Sequence, residues 1–304
     1  MENFLFGGVS AGLAICIVNP FDVVKSRMQM QVSPSPLSPS AASPKVYKGT
    51  FQALTSIAKA EGIQGLYRGL VPAICFQVVG NSVRFGVYYA AKDYLGVGSG
   101  EKIDSRTNLA LALTAGASAG VIACPFFMLK TQLQVQSSAP SLVAGHQHNH
   151  TGMISATRTI LKTQGFRGLF TALPAFIPRC TMLVGAQMTT YDYAKNLLLT
   201  EKVLEEGITA HIISSAIAAG VACFAMQPFD LVGARIMNQP VDPNSGKPLL
   251  YSSPVDCFAK TIKGEGISGL YKGSSANYLR MCPQYILTFV FFEQMMKFNR
   301  ERKE

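Results

Sequence analysis

The chain has 304 residues, of which 48% are hydrophobic and only 14% are Asp, Glu, Lys or Arg, and its formal net charge is +10. Soluble proteins carry roughly 25% charged residues, so this composition argues against a string of soluble domains and favours a lipid-facing surface. The basic residues are scattered and accompany no recognition motif, which argues against nucleic-acid binding. The seven cysteines have no CxxC spacing, so the sequence supports neither a disulfide scaffold nor a metal site.

Six apolar segments occur along the chain, in three pairs. At about 1.5 Å per residue, each segment is long enough to cross a bilayer with some tilt. Each pair encloses a polar stretch with a short helical pattern, and Gly62, Gly165 and Gly266 stand where that helix should stop. Residues 33–44 are rich in Ser and Pro and are predicted to be a disordered insertion. The predicted spans lie at about 3–30, 72–95, 107–135, 174–199, 209–238 and 275–298.

A proline closes the first span of each pair and opens a short run with charge. Pro20, Pro125 and Pro228 lie 105 and 103 residues apart. The chain is therefore three copies of one all-α unit, which we place at 1–98, 99–202 and 203–304.

The second copy departs from the other two in its first span. Twelve residues separate Gly8 from Pro20, whereas nine separate Gly116 from Pro125. If the two glycines are equivalent packing positions, the third span has lost about one helical turn, and the wall that it forms should be shorter.

Three of the four histidines lie close together in the second copy, at His146, His148 and His150. Alternate spacing could bind a metal ion. A solvated polar loop explains the same residues, and we favour that interpretation.

The threefold pattern Pro-x-[Asp/Glu]-x-x-[Lys/Arg], followed by a short helix and Glu-Gly or a variant of it, resembles the mitochondrial carrier family. The resemblance covers essentially the whole chain. The segments GHQHNHTGM and MNQPVDPNSGKPLLY are most similar to the oxaloacetate carrier-like branch of that family. The family implies six transmembrane helices in a threefold pseudo-symmetric barrel, with short matrix helices, in the inner mitochondrial membrane. Proline kinks in the odd-numbered helices would narrow one end of its cavity.

The resemblance implies a gate at the matrix end, in which the acid of one copy pairs with the base of the next. Asp22 would pair with Lys130 and Asp230 with Lys25, while Gln29 and Gln134 would brace the pairs. The third pair would join Phe127 to Gly233, where both charges are missing, and Met237 replaces the third brace.

A second gate is implied at the cytoplasmic end of the even-numbered helices. Only Glu293 and Lys92 are oppositely charged partners there, so this gate should be the weaker one. Its candidate residues are Tyr89, Lys92, Asp192, Lys195 and Glu293.

The substrate level is implied by the even-numbered helices, where Phe76, Arg179 and Arg280 are equivalent positions. Arginine inside a membrane span is costly and usually functional, and its planar fork suits carboxylate, sulfate or phosphate. No acid lies near these arginines in their own segments, so we favour contact with the substrate over structural pairing with the backbone or a distant acid. The candidate binding residues are Gln77, Asn81, Arg84, Arg179, Cys180, Gln187 and Arg280.

Two functions from different classes of transport remain open on these residues. The first is exchange of small anionic carboxylates, with sulfate as a further candidate, by alternating access through salt-bridge gates. The second is a proton-leak pathway on the same fold. No constellation of catalytic residues supports an enzyme. We expect a monomer that uses no cofactor, and the resemblance allows for bound cardiolipin as membrane lipid.

Overall fold

The computed structural model describes residues 2–31, 46–96, 104–200, 208–242 and 246–301, so the insertion predicted at 33–44 lies outside the described residues. Within these ranges the chain is helical, and the extended structure is limited to one isolated bridge between Val241 and Pro248.

Long and short helices alternate in the order long, short, long, and this order occurs three times. Repeat one holds α1–α3, repeat two α4–α6 and repeat three α7–α9, which confirms the predicted all-α architecture of three copies. The long helices are α1 (Glu2–Met30), α3 (Leu70–Tyr94), α4 (Ser105–Val135), α6 (Leu173–Thr200), α7 (Ile208–Asn238) and α9 (Ser274–Glu301). The short helices are α2 (Thr50–Leu66), α5 (Met153–Gly168) and α8 (Pro254–Glu265).

The six long helices close into a ring. Helix α1 packs on α3, α3 on α4, α4 on α6, α6 on α7, α7 on α9 and α9 back on α1. Hydropathy and length mark four of them as membrane spans, and a fifth if α5 and α6 are taken as one bent span. Helix α9 falls outside this test because polar residues such as Arg280, Gln284 and Glu293 interrupt its apolar sequence.

The prolines lie inside the odd-numbered helices α1, α4 and α7. We call the end of the barrel to which these helices run after the prolines the proline end. Half of the buried polar and charged side chains among the described residues lie in this part of the odd-numbered helices. The proline end is therefore the part of the barrel in which a candidate site has to be sought.

Three equivalent glycines break the short helices, as predicted. Gly62, Gly165 and Gly266 have φ of 70°, 66° and 72°. Residues that have a side chain rarely adopt positive φ, so glycine is favoured at these three turns. Each break turns the chain toward the following long helix.

The prediction of a shortened third span is wrong. Helix α4 has 31 residues, and twenty of them precede Pro125, whereas eighteen described residues of α1 precede Pro20. Gly116 is therefore not equivalent to Gly8. Close packing explains the difference, because a Cβ on Gly8 would lie 2.8 Å from Ser82 Oγ, whereas one on Gly116 would meet nothing within 4 Å.

Candidate functional site

Asp22 of α1 is the centre of a buried ionic set at the proline end. Lys130 of α4 approaches it to 2.6 Å, and Gln134, one turn further along α4, donates a hydrogen bond at 3.0 Å. Arg280 of α9 lies 3.4 Å from the other carboxylate oxygen. One carboxylate thus holds a lysine, a glutamine and an arginine from two other repeats.

Asp230 of α7 is the centre of a second set with the same composition. It forms an ion pair with Lys25 of α1 and accepts a hydrogen bond from Gln29 at 3.3 Å. Arg179 of α6 donates to it at 2.7 Å. The four carboxylate and lysine residues of the two sets are between 1 and 6% exposed. We call these two clusters the ionic sets.

The third equivalent set has no charge at any of its four positions. Phe127 occupies the position of the aspartates, Gly233 that of the lysines, Met237 that of the glutamines and Phe76 that of the arginines. Phe127, Met237 and Phe76 belong to one apolar cluster, in which the rings of Phe76 and Phe127 lie 5.1 Å apart. Gly233 packs against Ala175. We call these four residues the apolar set.

The coordinated change in the apolar set has a simple physical reason. A single charge left in a buried site without its partner is strongly destabilising, so all four positions change together. Phe76 and Phe127 also remain within cation–π distance of Lys130, at 5.6 and 5.9 Å.

The two arginines pair with acids in the structure, although none lies near them in their own segments. Arg179 and Arg280 each contact a carboxylate from a different repeat. These contacts were not predicted, because the partners lie far apart in the sequence. The two arginines are held unequally. Arg179 Nε donates a well-formed hydrogen bond to Asp230, whereas Arg280 Nε is buried beside Asp22 without the alignment of a hydrogen bond. Its nearest hydrogen-bond contact runs from Nη2 to Asn277 Oδ1 at 3.4 Å.

A second layer, which the sequence analysis missed, lies beyond the ionic sets. Arg27 of α1 bonds both Glu61 oxygens, at 2.5 and 3.0 Å, and donates to the backbone carbonyl of Gln134 at 3.2 Å. Burial alone would raise the pKa of Glu61, but hydrogen bonds from Arg27 and Ser137 outweigh it, and the pKa lies below its ordinary value. A cation at the last carbonyls of a helix is favourable, so Arg27 clamps repeat one to repeat two.

Arg235 makes the equivalent clamp from repeat three to repeat one. It bonds Glu265 at 3.0 Å and the carbonyl of Gln29 at 3.4 Å. The signal in the sequence was an arginine seven residues after Pro20 and Pro228, with an acid immediately before the glycine that ends the short helix.

Repeat two replaces this charged clamp with a neutral one. Gln132 stands at the arginine position and Gln164 at the acid position. Gln132 Nε2 donates to the carbonyl of Met237 at 2.9 Å, and its Oε1 lies 3.2 Å from His150 Nε2. Since the amide nitrogen already donates, the oxygen accepts, and we assign the proton to His150 Nε2.

The histidine loop is not simply a solvated loop. His150 is buried, and the rings of His148 and His150 stack with centroids 5.5 Å apart. Burial, with the neighbouring His146 and His150, lowers the pKa of His148 to about 4. Among the described residues, no group of three or more His, Cys, Asp or Glu side chains could hold a metal ion.

The remaining predicted binding residues lie on α3 and α6. Gln77 and Cys180 directly follow Phe76 and Arg179, and the others lie further toward the opposite end. Asn81 Nδ2 donates to the carbonyl of Gln77 at 2.9 Å, and Arg84 is exposed. Cys180 is half-buried, beside the cluster that contains Phe127. Gln187 lines a cavity of about 710 Å³ between α4, α6 and α7.

The opposite end is not closed by the predicted pair. Within the described residues, no ion pair joins Glu293 to Lys92, and Glu293 is exposed. Asp192 is also exposed and lines the same cavity as Gln187, together with Arg106. Tyr89 makes an edge-to-face contact with Tyr88, whose hydroxyl bonds Asn108 at 2.7 Å. In the part of the chain that the structure describes, the buried ion pairs Asp22–Lys130 and Asp230–Lys25 thus lie at the proline end.

A threefold ring of membrane-length helices, closed by buried ion pairs at one end, defines a multi-pass membrane transporter. Comparison with known sequences identifies the group, since the family model described as mitochondrial carrier protein matches residues 1–99, 102–202 and 205–303. The chain belongs to the mitochondrial carrier family. It is therefore a transporter of the inner mitochondrial membrane rather than an enzyme.

Several relatives are similar over nearly the whole chain. The mitochondrial oxaloacetate transport protein of Schizosaccharomyces pombe is 35% identical over 98% of this chain and 90% of its own length. Solute carrier family 25 member 35 of Homo sapiens is 34% identical over 96% of this chain and 97% of its own length. Mitochondrial citrate transporter E of Aspergillus niger is 33% identical, over 99% of this chain and 94% of its own length.

Proposed function

We propose that this carrier exchanges small carboxylate anions across the inner mitochondrial membrane, with Arg179 and Arg280 as the groups that bind the anion. The names of the relatives, oxaloacetate and citrate transporters among them, support this substrate class. They give no support to a proton-leak pathway. In this proposal the proline end faces the matrix, and Asp22, Lys25, Lys130 and Asp230 form its gate.

The observation that carries the proposal is the state of Arg280. Its Nε is buried, lies 3.4 Å from Asp22 and has no hydrogen-bond acceptor among the described residues. A buried donor without an acceptor is costly, and a carboxylate entering from the open end would satisfy it. Arg179 and Arg280 already contact protein carboxylates, so the site has the chemistry that such an anion requires.

The same contacts suggest how binding opens the gate. An anion that binds Arg179 and Arg280 competes with Asp230 and Asp22 for them, and each ionic set then loses one of its two cations. The remaining lysine contacts are weaker locks, so the proline end opens more readily when the carrier is loaded. Binding energy is thereby used to drive the conformational change.

The remaining residues take supporting roles in this proposal. Gln77, Asn81, Arg84, Cys180 and Gln187 line the path from the open end to the arginines. Tyr89, Lys92, Asp192, Lys195 and Glu293 form the second gate when the carrier faces the matrix. We propose that the carrier works as a monomer without a cofactor, in contact with cardiolipin.

The test is uptake of radiolabelled anions by the purified carrier in liposomes, with oxaloacetate, malate, citrate and sulfate as the panel. Arg280→Ala is expected to lose more than tenfold in uptake of the best anion. Arg158→Ala is the matched control, because Arg158 is exposed on α5, away from the ionic sets. Full uptake by Arg280→Ala would show that the binding level is misplaced. Proton conductance with no anion taken up would favour the proton-leak alternative.

A further inference from the structure

Residues 137–152, which connect α4 to α5, lie across the proline end. We call this segment the strap. It contains a single 3-10 turn at Pro140–Leu142. Leu142 and Ala144 are 8 and 5% exposed and belong to one buried cluster. The same cluster contains Met30 and Val135, the last residues of α1 and α4, and Ala234, near the end of α7. The strap therefore contacts the odd-numbered helices of all three repeats.

Repeat one holds the strap at its beginning and middle. Ser137 Oγ donates to Glu61 at 2.6 Å, and Arg68 donates to Ser138 at 2.5 Å. The Tyr47 hydroxyl donates to the carbonyl of Leu142 at 2.8 Å.

Repeat three holds it at Gly145 and His146. Asn238, the last residue of α7, donates from Nδ2 to the carbonyl of His146 at 3.2 Å. Gly145 has φ of 77°, and a Cβ there would lie 3.0 Å from both Met30 Cβ and Asn238 Nδ2. The ends of α1 and α7 thus close on the strap from two sides.

Near the end of the strap, His150 bonds Gln132 of α4, and Gln132 in turn bonds the carbonyl of Met237. These contacts cross the boundary between α4 and α7. That boundary is the one at which the apolar set replaces an ionic set. The strap and the missing ion pair therefore occupy the same seam of the barrel.

We propose that the strap is the third lock of the gate at the proline end, and that it holds α4 to α7 where the ionic set is missing. This inference rests on the proposed function, in which the proline end opens during transport. Opening separates the ends of α1, α4 and α7, so the strap cannot keep its contacts with Met30 and Asn238 at once. It must leave its seat in each cycle.

The experiment measures how often the strap leaves. Ala144→Cys places a small thiol on the buried face of the strap, and an impermeant maleimide added to proteoliposomes labels it only when the strap is unseated. Peptide mass spectrometry reads the label at position 144, so the native cysteines can stay. Labelling is compared at rest and during exchange of the best transported anion, and labelling during exchange is expected to be several-fold faster.

Two further variants test the seat itself. Asn238→Ala removes the bond to His146 and is expected to raise resting labelling about fivefold, the equivalent of a hydrogen bond of about 1 kcal/mol. Ser141→Ala changes an exposed strap residue and should leave labelling unchanged. Hydrogen exchange of the 137–152 peptide gives the same comparison without a cysteine, in case Ala144→Cys does not fold.

Equal labelling at rest and during exchange would overturn the proposal, because the strap would then stay seated through the cycle. Rapid labelling at rest, or no difference between Asn238→Ala and Ser141→Ala, would overturn it as well. If no anion supports exchange, the proposed function fails, and the resting comparison still decides whether the strap is held by α7.

Discussion

Replacing Asp230 by asparagine removes the charge of one ionic set and keeps its shape. Asp230 is 3% exposed and contacts Lys25, Gln29 and Arg179. The asparagine oxygen can still accept a hydrogen bond, but both cations lose their counter-charge in a buried site. Only the electrostatic part of the set is then changed.

The cost follows from the burial of the partners. Removing one member of a buried ion pair costs about 3–5 kcal/mol, which corresponds to a factor of about 100 to 4,000 in an equilibrium constant. That factor acts on the conformation in which the proline end is closed. Exchange requires this conformation to be populated, so kcat should fall strongly.

The Michaelis constant is expected not to rise. Asp230 competes with the anion for Arg179, and Asp230→Asn weakens this competitor, so KM should fall or stay level while kcat falls. Initial rates of anion uptake over a range of concentrations separate the two constants. A rise in KM with unchanged kcat would refute the reasoning, because Asp230 would then assist anion binding.

A second substitution checks the origin of the cost. Lys25→Met in the Asp230→Asn background removes one unpaired cation, so the double variant should unfold at a higher temperature than the single one, by at least about 2 °C for a gain of 1 kcal/mol. Asp256→Asn is the control, since Asp256 forms an ion pair with Lys260 on the surface of α8, and such pairs contribute about 0–1 kcal/mol. No recovery in the double variant would mean that unpaired charge is not the cause.

Three further outcomes are expected. Asp22→Lys should impair transport more than Glu293→Lys, because Asp22 lies in a buried ionic set and Glu293 is exposed; equal losses in the uptake assay would contradict this. Phe127→Ala should cost about 3–5 kcal/mol by opening a cavity, and its effect on the unfolding temperature should be nearly the same at low and high salt, since the side chain that is removed carries no charge and packs in an apolar cluster. Because the pKa of His148 is lowered to about 4 from an unfolded value of 6.5, its contribution to stability is complete above pH 6.5 and is lost as the pH falls toward 4. The unfolding temperature should therefore fall less steeply over this interval in His148→Asn, and identical slopes would exclude the effect.

The proline repeat and the resemblance to the carrier family together predicted which charges meet at the proline end. The repeat aligns the three copies, the family implies that the acid of one copy pairs with the base of the next, and the contacts of Asp22 with Lys130 and of Asp230 with Lys25 follow that rule. A repeat relates equivalent positions. Only the contacts between equivalent positions of the three copies could therefore be predicted.

Contacts between non-equivalent positions could not be predicted in this way. Arg179 and Asp230 belong to different repeats and different kinds of helix, and no periodicity relates them. The prediction that α4 is shortened was wrong for a different reason. It equated Gly116 with Gly8 because both begin a Gly-x3-Gly motif, but a Cβ on Gly116 would make no close contact. The burial of His150 at the proline end could not be predicted, because a buried segment whose hydrogen bonds are satisfied can have the same polar sequence as a solvated loop.

The sharing of Asp22 and Asp230 between lysines and arginines has a consequence for selectivity. Each aspartate is a carboxylate fixed in the wall of the carrier, and it contacts an arginine that the transported anion has to bind. The two arginines are occupied by separate aspartates. A cargo with one carboxylate can displace one of them at a time, whereas a cargo with two can displace both together. The carrier would then favour anions with two carboxylates at the step in which the proline end opens, even if both kinds of anion entered the cavity equally well.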